Sequence, residues 1–282
     1  MNRFSSHDAD RNILQIHRAE NGVKNRVKTR FIAIALAMFS AIALPNLVQA
    51  QTEELQDIPS ELAEVIGKIE EAANDQDLDR VMKYYGADFT NQDGLTTASV
   101  ATALERTWET YPGLTYQTEI LSWSQLGDEL AAETLTTISG AKQEQGRTIR
   151  LKSELKTRQY FRDRKLVRQE ILSEKTILTS GDRPPQVTVN VPETVKLGEK
   201  YAFDTIVEEP LEGNVLLGAV IEEKTASNLY LNPTSLELAP LTAGGIYKLV
   251  TAPRLADNHW LSAIVVRGDG ITMVTQRVRV KE

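Results

Sequence analysis

The side chains that most often carry catalysis near neutral pH are scarce in this sequence. It has no cysteine, which excludes disulfides, thiolate metal sites and cysteine nucleophiles, and it has only three histidines. His7 and His17 lie near the N-terminus and His259 near the C-terminus, so residues 18–258 contain no imidazole that could act as a general base. The sequence also lacks a Gly-rich phosphate loop, a nucleophile elbow and a calcium-loop pattern. We therefore predict no metal and no cofactor, and the sequence assigns no catalytic residue.

Two carboxylates remain as candidates for moving a proton. In strictly alternating strands, Glu119 shares a face with Leu121 and Trp123, and Glu133 shares one with Leu135 and Thr137. Either could be a buried acid or base. The alternative is that each pairs with a basic neighbour, because structural ion pairs occupy such positions too. We favour this alternative, and with it binding over catalysis.

Aromatic side chains are frequent between residues 84 and 160, and they could line a pocket for a flat apolar ligand. The inward-facing side chains of the strand predicted over 147–161 would add hydroxyl and amide groups to such a pocket. The pocket candidates are Tyr84, Tyr85, Trp108, Trp123, Ser153, Thr157 and Gln159. The competing interpretation is that the aromatic rings only fill the core, because cores and pockets use the same residue types.

The elements that would position these residues are helices followed by long strands. Apolar residues at helical spacing predict a helix that starts near Pro59, a short helix around Val81, and a third helix that Thr96 caps. Alternation then predicts strands over 115–126, 129–141, 147–161 and 165–179. The strand over 147–161 has one apolar face and one basic face, which predicts a sheet with one buried and one solvated side. The basic face consists of Arg150, Lys152, Lys156, Arg158 and, one residue beyond this strand, Arg162.

Residues 180–185 include Gly181, Pro184 and Pro185 and are typical of a linker, and the sequence pattern changes after them. From residue 186 onward the chain has short alternating segments separated by turn residues. Six to eight short strands in about a hundred residues are typical of a β-sandwich of immunoglobulin type.

Residues 62–174 resemble the nuclear-transport-factor-2-like superfamily, which includes SnoaL-like polyketide cyclases and ketosteroid isomerases. The resemblance rests on segments 77–85, 88–89, 93–96, 111–114 and 166–170. It implies three helices wrapped by a bent antiparallel sheet into a cone with an internal pocket, often dimeric through the outer sheet face. Catalytic members of the superfamily place Asp, Glu or His in the cone, often beside a Tyr. The C-terminal part resembles bacterial immunoglobulin-like modules in its pattern only.

The first fifty residues are typical of a secretory signal peptide. Basic residues precede an apolar run over 31–44, which is shorter than the roughly twenty residues that a membrane span needs. Pro45 and small residues up to Ala50 follow it. The segment carries seven basic and three acidic side chains, a net +4, so its removal changes the net charge from −7 to −11. This acidity argues against nucleic-acid binding.

The predicted organisation is a signal peptide over 1–50, an α+β domain over 57–179, a linker over 180–185 and an immunoglobulin-like sandwich over 186–282. The predicted fold class is an α+β cone followed by an all-β sandwich. We expect export to the periplasm, the exterior or, in a photosynthetic source, the thylakoid lumen, with no membrane span after signal cleavage. The predicted function is non-enzymatic binding of a small hydrophobic ligand, or dimerisation, by the cone, with a protein partner on the sandwich. The alternative is a cyclase or isomerase with one buried carboxylate.

Overall fold

The structure is a computed structural model that describes residues 57–210, 215–230, 237–241 and 244–282. The predicted signal peptide, including its apolar run, lies outside these residues. The chain from Ile58 to Glu282 forms one compact unit. No helix in the part of the chain that the structure describes is both long enough and apolar enough to cross a membrane.

Helices are confined to the first quarter of the described chain, and strands make up most of the rest. The helices are α1 Ser60–Asn74, α2 Leu78–Met82 and α3 Thr97–Thr110. The strands of the first half are β1 Tyr85–Asn91, β2 Thr115–Leu126, β3 Glu129–Glu144, β4 Arg147–Arg162 and β5 Lys165–Gly181. Those of the second half are β6 Val187–Asn190, β7 Thr194–Lys196, β8 Lys200–Val207, β9 Leu217–Lys224, β10 Ala239–Pro240, β11 Gly245–Thr251, β12 Asn258–Arg267 and β13 Gly270–Lys281.

Local capping explains where the helices begin. The Asp77 side chain accepts a hydrogen bond from the backbone N–H of Arg80 at 3.0 Å and caps α2. Thr96 caps α3 as predicted. Its hydroxyl accepts from the Ser99 N–H, and the Ser99 hydroxyl accepts from the Thr96 N–H at 2.8 Å, so two otherwise unpaired donors are satisfied.

A ten-stranded sheet runs through both halves of the chain. Its main order is β10-β9-β12-β13-β5-β4-β3-β2, with β1 beside β5 and β7 beside β13. β5 joins the halves: it pairs with β4 along most of its length, with β1 in its first part, and through Lys175–Gly181 with residues 270–276 of β13. A separate three-stranded sheet has the order β11-β8-β6.

The predicted fold class, an α+β cone of three helices wrapped by a bent antiparallel sheet and followed by an all-β immunoglobulin-like sandwich, is wrong. The described chain is mostly strand, with three helices that do not dominate the layout, and its main feature is one large sheet that is antiparallel except where β1 and β7 join it. The physical reason is the length of β5. Its second part leaves one edge without a partner from the first half, and β13 hydrogen-bonds to that edge because unpaired strand edges are costly. The residues predicted as a linker end β5 at Gly181, and the N–H groups of Asp182 and Arg183 then donate to the carbonyl of Asp269.

Apolar side chains form separate clusters on the large sheet. In the first half, α1 packs on the sheet through Leu62, Val65 and Ile66, next to Phe161 and Leu166. In the second half, the three-stranded sheet packs on β12 and β13 through residues that are all buried, namely Val195, Tyr201, Phe203, Val250, Ala252, Leu261, Ala263, Val278 and Val280. One face of β13 is therefore used by the core of the second half, which leaves its other face for the first half.

Candidate functional site

A cavity of about 290 Å³ lies between the helices and the sheet of the first half. Most of its lining is apolar. The apolar side chains that line it are Ile66, Ile69, Ala73, Val81, Leu95, Val100, Ala103, Leu104, Ile138, Leu155 and Ile171. The polar ones are Glu70, Tyr85, Thr107, Tyr116, Thr118, Thr136, Gln159, Gln169, Glu174 and Tyr230. Among the residues that the structure describes, Tyr230 is the one member of this lining that comes from the second half of the chain.

Two tyrosines of the first half present their rings to the cavity. The Tyr116 hydroxyl accepts a hydrogen bond from the indole N–H of Trp108 at 2.9 Å, which leaves its own proton available to an acceptor. Burial raises the pKa of Tyr116, and the hydrogen bond from Trp108 opposes this rise only in part. Burial also raises the pKa of Tyr85 to about 12. Both phenols are therefore neutral hydrogen-bonding groups at physiological pH.

One carboxylate of the lining comes from α1. The Glu70 carboxylate accepts the backbone N–H of Thr118 on β2 at 2.6 Å, which ties the helix to the sheet. The neighbouring hydroxyls of Thr118 and Thr136 share a hydrogen bond of 3.1 Å across β2 and β3. Glu70 is half-buried and lies on the cavity side of α1.

The other carboxylate of the lining, Glu174, belongs to a buried polar network around Arg277. The Arg277 side chain is 0% exposed, and its two terminal nitrogens donate to the two carboxylate oxygens of Asp93 at 2.9 and 2.7 Å. Arg277 also donates to Oε2 of Glu174, from Nε at 3.1 Å and from Nη2 at 2.9 Å. The indole N–H of Trp260 donates to the same oxygen at 2.9 Å. Oε2 of Glu174 thus accepts three hydrogen bonds.

Tyr230 completes this network at the cavity wall. Its hydroxyl donates to Asp93 at 2.8 Å and accepts from Arg277 at 3.0 Å, and its ring makes an edge contact with Trp260 at 4.8 Å between centroids. Burial raises the pKa of the Tyr230 phenol well above its usual range. Tyr230 is therefore a neutral group that links the buried ions to the cavity.

The charges of the network support one another. Burial opposes ionisation of Asp93, but the hydrogen bonds and charge of Arg277 outweigh it, so the pKa of Asp93 is lowered. Burial likewise disfavours the charged form of Arg277, but the hydrogen bonds that Arg277 donates to Asp93 and the charge of Glu174 outweigh it and raise the pKa of Arg277. Both groups are therefore charged over the physiological pH range.

Two of the seven predicted pocket residues, Tyr85 and Gln159, line this cavity. Trp108 is buried beside it and reaches it only through Tyr116. The other four lie elsewhere. Thr157 is buried and bonds the Thr134 hydroxyl at 3.0 Å, and Ser153 bonds the Thr176 hydroxyl at 2.8 Å. Tyr84 and Trp123 pack against the apolar cluster under α1.

Neither of the two carboxylates considered from the sequence faces the cavity. Leu121 is an extra residue in β2, since Ile120 pairs with Thr134 and Ser122 with Glu133. This bulge breaks the alternation that placed Glu119 on the face of Trp123, and Glu119 is exposed. Glu133 lies on the outer face and accepts a hydrogen bond from Arg158 at 2.6 Å, with Lys156 at 3.4 Å. Attraction to these two cations lowers the pKa of Glu133, the hydrogen bond from Arg158 being the largest cause.

A second bulge brings Glu174 to the cavity. Leu172 is the extra residue in β5, between the pairs Lys156 with Ser173 and Thr157 with Ile171. Both Glu174 and Ile171 can then line the cavity, although they are an odd number of positions apart. No sequence signal singles out Glu174, Asp93 or Arg277: each looks like an ordinary turn residue or solvent-facing strand residue until the chain folds.

Comparisons with known proteins give limited matches. Residues 182–281, which begin where β5 ends, match the family model described as "Domain of unknown function (DUF8623)". No curated protein sequence matches the chain.

Several solved structures resemble part of the chain at low scores. A SnoaL-like polyketide cyclase from Shewanella putrefaciens is 18% identical, with a TM-score of 0.32 over 48% of this chain and 92% of its own. An LEH-like epoxide hydrolase from M. tuberculosis is 15% identical, with a TM-score of 0.30 over 39% of this chain and 80% of its own. Bd1075 from Bdellovibrio bacteriovorus is 16% identical, with a TM-score of 0.30 over 39% of this chain and 38% of its own length.

Proposed function

We propose that the protein binds a small, largely apolar molecule in the cavity between its helices and its large sheet. The observation that carries this proposal is the cavity itself: about 290 Å³ lined mainly by apolar side chains. That volume lies just below the roughly 300–1,000 Å³ found for small-molecule sites, so it suits a small ligand. Aromatic side chains do not fill it: Trp108 packs beside the cavity, and of the described aromatic residues only tyrosines line its wall.

The polar groups of the wall favour binding over chemistry. Glu70 is engaged by a backbone N–H, and Glu174 is engaged by Arg277 and Trp260, so each carboxylate has a structural partner. The tyrosine hydroxyls and the amides of Gln159 and Gln169 can orient a ligand without exchanging a proton with it. This arrangement suits a binding protein.

A cyclase or isomerase is the second candidate. The observation that favours it is that a carboxylate, Glu174, reaches an apolar cavity that also contains tyrosine hydroxyls. Such a pair can take a proton from carbon and stabilise the oxyanion that forms. If the bound molecule is recovered chemically unchanged after prolonged incubation, the binding function stands; if it is recovered as an isomer, the enzyme function replaces it.

Binding in the cavity is tested with indole as the probe and isothermal titration as the measurement. In Ala103→Leu, the larger side chain occupies part of the cavity, and we expect the affinity to fall at least about tenfold. Ala98→Leu is the matched control, because it makes the same change on an exposed position of α3. Equal affinity of the two variants for indole contradicts the proposal. Native mass spectrometry of the purified protein then identifies any molecule that it retains.

Export and partner binding are part of the same proposal. The basic stretch, the short apolar run and the small residues before Gln51 support export through a signal peptide. N-terminal sequencing of the protein from its native source tests this, with Gln51 as the expected first residue and Met1 as the contrary result.

The second half would bind a protein partner, and the outer face of the sheet of the first half would mediate dimerisation. Sedimentation at increasing concentration tests the dimer.

A further inference from the structure

We infer that the ligand of the cavity carries a positively charged ammonium group beside Glu174 and Glu70, as an amine on an apolar body. This inference rests on the proposed binding function and adds the charge of the ligand. Three observations support it: the kind of ionisable groups that line the cavity, the charge balance of the buried network, and the hydrogen bonds of Glu174.

Both strong ionisable groups of the lining are acids. Glu70 contributes one from α1 and Glu174 one from β5, and among the residues that the structure describes, no Lys, Arg or His lines the cavity. The chain places these carboxylates against apolar side chains, where an unbalanced charge is costly. A cation in the cavity would reduce that cost, whereas a bound carboxylate or phosphate would increase it.

The buried network does not neutralise Glu174 by itself. Arg277 supplies one positive charge, and Asp93 and Glu174 supply two negative ones, so the three groups together carry −1. Asp93 and Arg277 are 0% exposed at the side chain, whereas Glu174 is 16% exposed. The remaining negative charge is therefore accessible only at Glu174, the member of the network that reaches the cavity.

The hydrogen bonds of Glu174 leave one oxygen for a ligand. All three donors, two on Arg277 and one on Trp260, contact Oε2. Among the described residues Oε1 has no donor, and an ammonium group has three N–H bonds to offer. The tyrosine rings of the lining, Tyr85, Tyr116 and Tyr230, would also attract a cation.

Three probes that share a phenyl ring but differ in charge distinguish the effect of charge on affinity from that of apolar contact. Phenethylamine, 2-phenylethanol and phenylacetate are titrated into the protein by calorimetry at neutral pH. We expect phenethylamine to bind at least about tenfold more tightly than 2-phenylethanol, and phenylacetate to bind most weakly. If 2-phenylethanol or phenylacetate binds as tightly as phenethylamine, the inferred charge is wrong although apolar binding stands. If none of the three and no indole binds, the proposed function fails as well.

Variants then locate the ammonium group. Glu174→Gln keeps the size of the side chain and removes its charge, and we expect it to abolish the preference for phenethylamine over 2-phenylethanol. Glu170→Gln is the matched control: it lies on the same strand but on the outer face, where Glu170 contacts Arg158 and Tyr160. Glu70→Gln provides a second test that leaves the buried network intact, and we expect it to reduce the preference. An unchanged preference in both Glu174→Gln and Glu70→Gln overturns the inference.

Discussion

Arg277 donates two parallel hydrogen bonds to the carboxylate of Asp93, at 2.9 and 2.7 Å, although the two residues are 184 positions apart. Neither side chain is exposed to solvent. This ion pair joins the turn before α3 to the last strand, and it connects through Glu174 and Tyr230 to the wall of the proposed binding cavity. The contribution of this ion pair to the stability of the fold and its contribution to ligand binding can be measured separately.

Replacing the buried cation should destabilise the protein strongly. In Arg277→Met, Asp93 and Glu174 lose their counter-charge inside the fold, and we expect the free energy of unfolding to fall by about 3–5 kcal/mol. Urea denaturation followed by circular dichroism measures this change. Arg279→Met is the control on the same strand, because Arg279 is only half-buried and its Nε has no hydrogen-bond partner in the described part of the chain. Similar losses in both variants would show that the ion pair has no special role.

The pH dependence of stability should contain a contribution from Asp93. The pKa of Asp93 is lower in the folded protein than its ordinary value of about 3.9, so its stabilisation is present above that value and is lost as the pH falls through the folded pKa. We expect the urea midpoint to fall steeply below about pH 4, and Asp93→Asn to reduce this slope. Asp88→Asn, at an exposed position of β1, should keep the unmodified slope. An equal slope in Asp93→Asn and the unmodified protein contradicts the assignment.

The hydroxyl of Tyr230 should stabilise the fold through its hydrogen bonds. Tyr230→Phe keeps the ring against Trp260 but removes the hydroxyl that contacts Asp93 and Arg277, and we expect a loss of about 1–2 kcal/mol in the free energy of unfolding. Tyr247→Phe makes the same change at a side chain that is 59% exposed, and its effect should stay within about 0.5 kcal/mol. A Tyr230→Phe protein as stable as Tyr247→Phe would mean that the hydroxyl is dispensable.

The end of β5 should tolerate no side chain. Gly181 has a φ of +95°, and a Cβ there would lie 2.6 Å from the carbonyl oxygen of Asp269 in the turn between β12 and β13. Gly198 also has a positive φ, +68°, but a Cβ there meets nothing within 4 Å. We expect Gly198→Ala to lose about 1–2 kcal/mol from backbone strain. Gly181→Ala should lose about 1–3 kcal/mol more, because the joint between β5 and β13 must also shift. Equal thermal midpoints for the two variants would show that this joint is not tightly packed.

Much of the local structure could be predicted from the pattern of residues. The strand over Thr115–Leu126 was predicted with its observed bounds, and Thr96 was predicted as the cap of α3. Such features depend on neighbours in sequence: alternation sets which residues share a face, and a hydroxyl caps the helix that directly follows it.

The candidate site was predictable only in part. Gln159 does line the cavity, as the alternation of its strand predicts. Tyr85 lines it too, although the sequence singles it out only as one of several aromatic side chains. Glu119 does not, because the bulge at Leu121 reverses that phase and nothing in the sequence marks the extra residue. Glu174 reaches the cavity because of the equivalent bulge at Leu172.

Composition and short-range pattern alone determine that this chain lacks cysteine, that no imidazole is available between residues 18 and 258, and that helices precede a long run of strands. Only the tertiary structure decides that β13 pairs with β5, which extends one sheet through both halves of the chain, and that Arg277 meets Asp93 and Glu174. The physical reason is that strand pairing and burial of charge depend on which edges and faces meet in space. In the sequence of an alternating strand, an arginine that faces solvent cannot be distinguished from one that another part of the fold buries.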